Sequence, residues 1–302
     1  MKKEMQETVE KLIQAIDSGV KPWVMPFDCP SLGRPQNFLN QTRYKGANAV
    51  LLHMEAYLKG YSCNKWLTYN QISELKGKVR KGERAKKVFF FTYVEKTLES
   101  EPDSENAATI KSPRWKYFNV FNLDQTEGIA DSDHAANLSE DDFMSNLSVD
   151  GLIAATKAVI NHSDRKAAFY NPNDDFIHLP YQRHFHSVDG YYATLLHELV
   201  HWTGHQSRLH RLTTVNRYGN HAYCFEELVA ELGSTFLSMD LNVKADIENH
   251  ASYLENWSKL LQDKHMAFFK AASLAETAMQ YLYDLASKQQ ENNQFALSLE
   301  AA

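Results

Sequence analysis

Cysteine is scarce and long apolar runs are missing. The three cysteines, Cys29, Cys63 and Cys224, are scattered singly along 302 residues, too few for a disulfide framework or a thiolate zinc site, and they suit a reducing compartment. A bound metal must therefore draw on histidines and carboxylates. Nowhere do about 18 apolar residues follow one another, which leaves no candidate membrane span and no expected membrane partner. The N-terminus MKKEMQETVEKLIQAIDSG carries acids where a secretory signal would carry its apolar core, so a cytoplasmic protein is expected. No internal repeat or low-complexity tract appears, which excludes solenoid and prion-like architectures.

What is present is an ordinary globular composition, 43% hydrophobic and 23% charged, with length enough for one large domain or two modest ones. The net charge of -6 argues at first against nucleic acid, but its distribution is uneven. Residues 1–130 hold 20 Lys+Arg against 15 Asp+Glu, a net of +5; the remainder holds 12 against 23, a net of -11. Such asymmetry points to two halves with different partners. A domain over 1–130, a linker over 131–146 and a second domain over 147–302 are expected.

In the first half, apolar spacing predicts helices over Glu4–Ser18 and Asn48–Lys59, a short helix over Tyr69–Leu75, and strands over Val88–Val94 and Trp115–Asn122. Between the strands, Thr97 to Pro113 reads as a solvated acidic loop. In the second half, helices are expected over Val149–Asn161, Gly190–Gly204 and Phe225–Met239, with two more beyond Ile247 and a frayed tail from Ser287. Ala167–Tyr170 and Asp175–Leu179 read as short strands joined by the turn NPND, and DFIHLP is a candidate edge strand beside a substrate groove. The fold class is α+β: a mixed α/β first domain, then a mainly helical domain with a small sheet.

The stretch LLHELVHWTGH carries the clearest chemistry. At 100° per residue, His197 and His201 fall on one helix face a turn apart, so two neutral imidazoles can share one zinc ion, and Glu198 is placed as the general base toward water. Leu195, Leu196, Leu199 and Val200 make the remaining faces apolar, which predicts a buried helix with Gly204 at its end. Two patterns compete for the third ligand. A histidine two residues beyond HExxHxxG would stand at Ser207, a poor ligand, with His205 and His210 flanking that slot. The following helix instead supplies Glu226, Glu227 and Glu231. Glu227 is taken as the ligand and Glu231 as the carboxylate that orients a ligand imidazole, and the two roles are exchangeable at this stage. Ala230 and Gly233 would let that helix approach closely.

Ahead of these, Lys76, Lys78, Arg80, Lys81, Arg84, Lys86 and Lys87 run into Phe89, Phe90, Phe91 and Tyr93, with Trp115, Tyr117 and Phe121 on the neighbouring strand. Positive charge beside stacking rings is what sequence-tolerant single-strand binding requires. With Trp66 and Tyr44, the seven cations form the candidate DNA surface.

The segments SGVKPW, RYKGANAVLL, NKWLTYNQ, KVRKGERAKKV and YFNVFNLDQTEGI resemble the antirestriction proteins of the ArdC type and the related N-terminal region of plasmid-encoded primases. YYATLLHELVHWTGH, RLHR, FEELVAELGSTFL and YLENWSKLLQDKHMAFFKAASLAETA resemble the zincin-type metallopeptidase domain that accompanies it. The resemblance covers nearly the whole chain. It implies a bacterial conjugative-plasmid protein that binds single-stranded DNA without sequence preference, carries one zinc, and protects incoming DNA from restriction enzymes. By position it also implies His197 and His201 as ligands, Glu198 as catalytic acid/base and Glu227 as third ligand. Two alternatives are a DNA-tethered zinc endopeptidase that cleaves DNA-bound proteins such as restriction subunits, and a binding module with a structural zinc.

Overall fold

The computed structural model describes residues 3–19, 21–23, 32–97, 109–129, 147–212, 221–244 and 251–300. Cys29 and the expected linker 131–146 lie outside them. The first helix, α1 (Lys3–Asp17), buries a single stripe of Met5, Val9, Leu12, Ile13 and Ile16, spaced as one helix face requires. After the two-residue strand β1 (Gln36–Asn37) comes α2 (Ala47–Lys59), closed by the left-handed Gly60. Strand β2 (Lys65–Thr68) leads into α3 (Tyr69–Glu74), which starts in a reciprocal capping box between Thr68 and Gln71. Then follow β3 (Lys78–Val79), the long antiparallel pair β4 (Lys86–Thr97) and β5 (Thr109–Asn122), and β6 (Thr126–Glu127). The main sheet runs β1-β2-β5-β4, and β3 pairs separately with β6.

The stretch expected to loop from Thr97 to Pro113 is strand for part of its length. Pairing continues to Thr97↔Thr109, because TIKSP extends the ladder that the aromatic stretch begins.

In the second half, α4 (Val149–Thr156) ends sooner than expected. Lys157 adopts φ 53°, the left-handed conformation that stops a helix, and the β-branched pair after it opens β7 (Val159–Ser163). Strands β8 (Phe169–Asn171) and β9 (Phe176–Pro180) complete a sheet of order β7-β9-β8. This corrects the reading of DFIHLP: β9 is the central strand, parallel to β7 and antiparallel to β8, and β8 is an edge. Four helices follow, α5 (Val188–Thr203), α6 (His221–Leu241), α7 (Ala251–Asp263) and α8 (Met266–Glu300). The tail expected to fray continues α8, since Gln, Glu, Ala and Leu are good helix formers and no Gly or Pro interrupts them.

One hydrophobic core crosses the two halves. Met5, Val9, Leu12 and Trp23 join Leu199, Val200, Phe236, Trp257 and Phe268 in it. Helix α1 packs on α7, where Ser258 donates to Asp17 Oδ1 at 2.6 Å. The N-terminal sheet has two smaller cores, one around Leu52, Trp66, Val88 and Val120 and one around Phe38, Leu67, Ile72 and Leu123. A cluster of buried charge also ties the halves together: Arg34 meets Asp240 at 3.4 Å and also pairs with Glu276. None of the described helices is long and apolar enough to cross a membrane.

Candidate metal centre

Helix α5 begins at the cap Ser187, whose hydroxyl accepts from the Gly190 N–H. It buries Leu195, Leu196, Leu199 and Val200. It does not end by the left-handed route expected for a glycine, since Gly204 has φ -77°. Glycine is needed there for space: a Cβ would stand 2.9 Å from Leu212 Cγ and 3.0 Å from an Arg211 nitrogen.

Helices α5 and α6 bring His197, His201 and Glu227 together, with one donor atom of each lying within 4.8 Å of the others. Glu227 Oε2 is 3.5 Å from His197 Nε2, and Oε1 is 3.6 Å from His201 Nε2. Donors each about 2.1 Å from a tetrahedral ion stand roughly 3.4 Å apart, so these separations fit a divalent cation. The donor set of two imidazoles and one carboxylate fits as well.

The other ring nitrogens face two further carboxylates. Glu226 Oε1 is 3.2 Å from His201 Nδ1, and Glu231 Oε2 is 3.8 Å from His197 Nδ1. Hydrogen-bonded as it is, Glu226 fixes the tautomer and ring plane of His201, and Glu231, at 3.8 Å, places a negative charge beside the outer nitrogen of His197. Each has a cation beside it. Arg211 holds Glu226 through Nε at 2.9 Å and Nη2 at 2.8 Å, and Lys21 Nζ is 3.0 Å from Glu231 Oε1. Arg211 also donates to the Val200 carbonyl at 2.7 Å, tying the stretch after α5 to the helix.

The electrostatics follow from burial. Glu198 is buried and its carboxyl is pushed above the usual range by desolvation, against the pull of His197 and His201 and a main-chain hydrogen bond at Tyr170. That contact places the edge strand β8 beside Glu198. Burial alone would depress His201, but Glu227 and Glu226 raise it well above an ordinary histidine. Burial would raise Glu227, and the two histidines instead hold it far below the usual carboxylate range. Glu226 is likewise lowered, by His201 and Arg211 against burial.

Sequence reasoning did not assign roles to Glu226, Arg211 or Lys21, although Arg211 and Lys21 lie in the conspicuous stretches RLHR and SGVKPW. Of the alternative ligands, His205 instead bonds Ser207 Oγ at 2.7 Å.

The candidate DNA residues separate into three groups. Lys76, Lys78, Arg80, Lys81 and Arg84 are exposed. Lys86 is half-buried on Glu55 at 2.7 Å, and Lys87 lies 4.9 Å over the Tyr117 ring and 3.9 Å from Glu4. Trp66 is corrected to a core residue: it is 0% exposed, and its indole N–H donates to Asn64. Tyr44 is half-buried against the same cluster. Phe89, expected in the aromatic face, packs edge-on against Phe269 at 5.7 Å. Among the described side chains of the β4–β5 pair, the exposed rings are Phe90, Phe91, Tyr117 and Phe118. Phe90 and Phe118 form an edge-to-face pair at 5.2 Å on the strand face that also carries exposed Lys116 and Arg114.

An HExxH helix beside a small mixed sheet, with a carboxylate turned toward it from the next helix, is the architecture of a zincin-like metallopeptidase domain, here joined to an α/β domain. Family comparison agrees on both parts. The zincin-like metallopeptidase family matches residues 147–274, and the N-terminal domain of anti-restriction factor ArdC matches residues 2–121. The metal-free crystal structure of the antirestriction ArdC protein from plasmid R388 superposes with a TM-score of 0.79 at 36% identity, covering 95% of this chain and 99% of that one. The Mn(II)-bound structure of that protein gives 0.74 at 36% identity, covering 93% and 97%. A DNA primase TraC of Escherichia coli is 32% identical over 98% of this chain, which spans 28% of the primase's length. The chain belongs to the ArdC family of anti-restriction proteins.

Proposed function

We propose that this protein binds single-stranded DNA without sequence preference and protects incoming conjugative-plasmid DNA from restriction in the bacterial cytoplasm. The observation that carries the proposal is the exposed ring pair Phe90 and Phe118, 42% and 50% exposed, beside Lys116 and Arg114 on the strand pair that follows the basic stretch Lys76–Arg84. Solvent-facing aromatic rings cost hydration, and stacked bases would cover them while the cations meet phosphate. The ArdC relationship gives the protective role its context.

The zincin-like domain adds a hydrolytic site in this reading, with His197, His201 and Glu227 holding one zinc ion per chain. Bound there, the ion supplies Lewis acidity. Glu198, its carboxyl raised by burial, accepts a proton from water and returns it to the leaving group. Glu226 keeps the His201 ring in plane, and Glu231 sets a negative charge beside His197. A DNA-tethered endopeptidase acting on host restriction subunits is the second reading, favoured by the buried Glu198 beside the β8 edge.

Conjugative transfer into restricting and non-restricting recipients, with wild type, Glu198→Gln and a Phe90→Ala/Phe118→Ala variant, tests both. Protection is expected to fall in the double variant. Unchanged protection there, with unchanged DNA binding, would remove the hairpin from the reading. Loss of protection in Glu198→Gln with zinc retained would make the endopeptidase reading the better one.

A further inference from the structure

The two ligand histidines are supported in parallel ways, and the parallel has one unexpected member. His201 is backed by Glu226, and Glu226 by Arg211, which lies ten residues beyond His201 in the same domain. His197 is backed by Glu231, and Glu231 by Lys21, which lies in the N-terminal half. Lys21 and Glu231 are both almost completely buried, with side chains 5% and 4% exposed. Two opposite charges this enclosed and 3.0 Å apart form a buried pair, and removing either partner leaves the other without its counter-charge.

Lys21 is also fixed from its own side. Its ammonium lies 5.8 Å from the Trp257 ring, and Trp23, two residues on, meets Trp257 edge-on at 5.5 Å. Trp257 in turn donates to the Cys224 carbonyl at 3.2 Å, at the start of the helix that carries Glu227. The segment after α1 is thus packed behind the ligand helix.

From this we infer that Lys21 is a positioning residue of the metal centre, supplied from outside the zincin-like domain, which holds Glu231 against His197 as Arg211 holds Glu226 against His201. The inference rests on the reading of His197, His201 and Glu227 as ligands. Its consequence is that residues 147–302 alone hold an incomplete centre.

The test is a zinc titration of the full, metal-stripped chain in competition with a chromophoric chelator. Lys21→Met and Glu231→Gln should each bind zinc roughly 10 to 100 times more weakly, the size of effect that outer-shell carboxylates have on metal affinity. The double variant should be no weaker than the weaker single, because both changes break one chain of contacts. Lys21→Arg should recover most of the affinity. Asp17→Ala, which removes a contact between the same α1 region and α7, should lower the melting temperature and leave zinc affinity unchanged.

Wild-type affinity in Lys21→Met would overturn the inference, as would an equal loss in Asp17→Ala. If Lys21→Met does not fold, Lys21→Gln, which keeps a polar head in the pocket, takes its place: weakened zinc binding supports the inference and wild-type affinity overturns it. A wild type that takes up no zinc would overturn the ligand reading together with this inference; zinc in the wild type with no effect of Lys21 would overturn the inference alone.

Discussion

Gly233 on α6 faces Val200 on α5 so closely that a Cβ at Gly233 would stand 2.8 Å from Val200 Cγ2 and 2.9 Å from Cγ1. Val200 is fully buried, so an added Cβ would force its side chain or one of the helices to shift. The contact sets the separation of the two helices that carry the ligands. Gly233→Ala should therefore cost about 1–3 kcal/mol by overpacking, despite the better helix propensity of alanine. Denaturant melts would measure it, and Gly233→Ala/Val200→Ala should recover part of the loss. A neutral or stabilising Gly233→Ala would show that the helices can separate freely.

The basic loop yields a prediction about which cations matter. Lys78, Arg80, Lys81 and Arg84 are exposed, whereas Lys86 is engaged by Glu55. The slope of log affinity for single-stranded DNA against log salt should fall by about 0.7 for each exposed cation that meets phosphate. Replacing those four by Ala should flatten the slope markedly. Lys86→Ala should alter it less and cost stability instead. An unchanged slope in the fourfold variant would take the loop out of the DNA surface.

His53 sets an acid limit on the first half. It is buried next to Asn64, with Nδ1 3.1 Å from the amide nitrogen, and desolvation lowers its pKa to about 4. The unfolded histidine titrates near 6.5, so between these values the unfolded chain binds the extra proton and stability rises with pH. Stability should accordingly be complete above about pH 6.5 and decline as pH falls toward 4, by about 3 kcal/mol for this group. His53→Gln should flatten that part of the profile relative to wild type in urea melts between pH 4 and 7. An identical slope in both proteins would exclude His53 as the source.

How much of this was legible in the sequence depended on the range of the interaction. Spacing within one helix put His197 and His201 on one face, and small residues at 230 and 233 foretold the close approach of α6. The long strands and the first helix were legible from periodicity. The short strands β8 and β9 were legible from the turn NPND between them, but β1, β3 and β7 were not, because their pairing is set by distant partners and not by local pattern. For the same reason DFIHLP looked like an edge. Trp66 shows the limit for rings: an exposed and a buried tryptophan look alike until the opposite strand is known, and here Leu52, Val88 and Val120 cover it. The support of the metal centre was hidden most deeply, since Lys21 and Glu231 are separated by most of the chain and meet only through the packing of α1 on the helical half.

Metal binding and stability should be linked, and the linkage separates the roles of the acidic residues. A ligand that binds only the folded chain raises its stability by RT ln(1 + [L]/Kd), about 2.7 kcal/mol at a hundredfold excess over Kd. Zinc or manganese should therefore raise the melting temperature of the wild type. Glu227→Gln keeps the volume but weakens the carboxylate bridge to both imidazoles, 3.5 and 3.6 Å away, so most of the metal-induced rise should vanish. Glu198→Gln should keep the full rise, because Glu198 serves as proton carrier in this reading and removing a desolvated carboxyl costs the fold little. Glu226→Gln should lie between, since Arg211 and His201 lose their shared partner while all three ligands remain. Scanning fluorimetry with and without metal distinguishes the four proteins. A rise retained in Glu227→Gln and lost in Glu198→Gln would reverse the assignment of ligand and proton carrier.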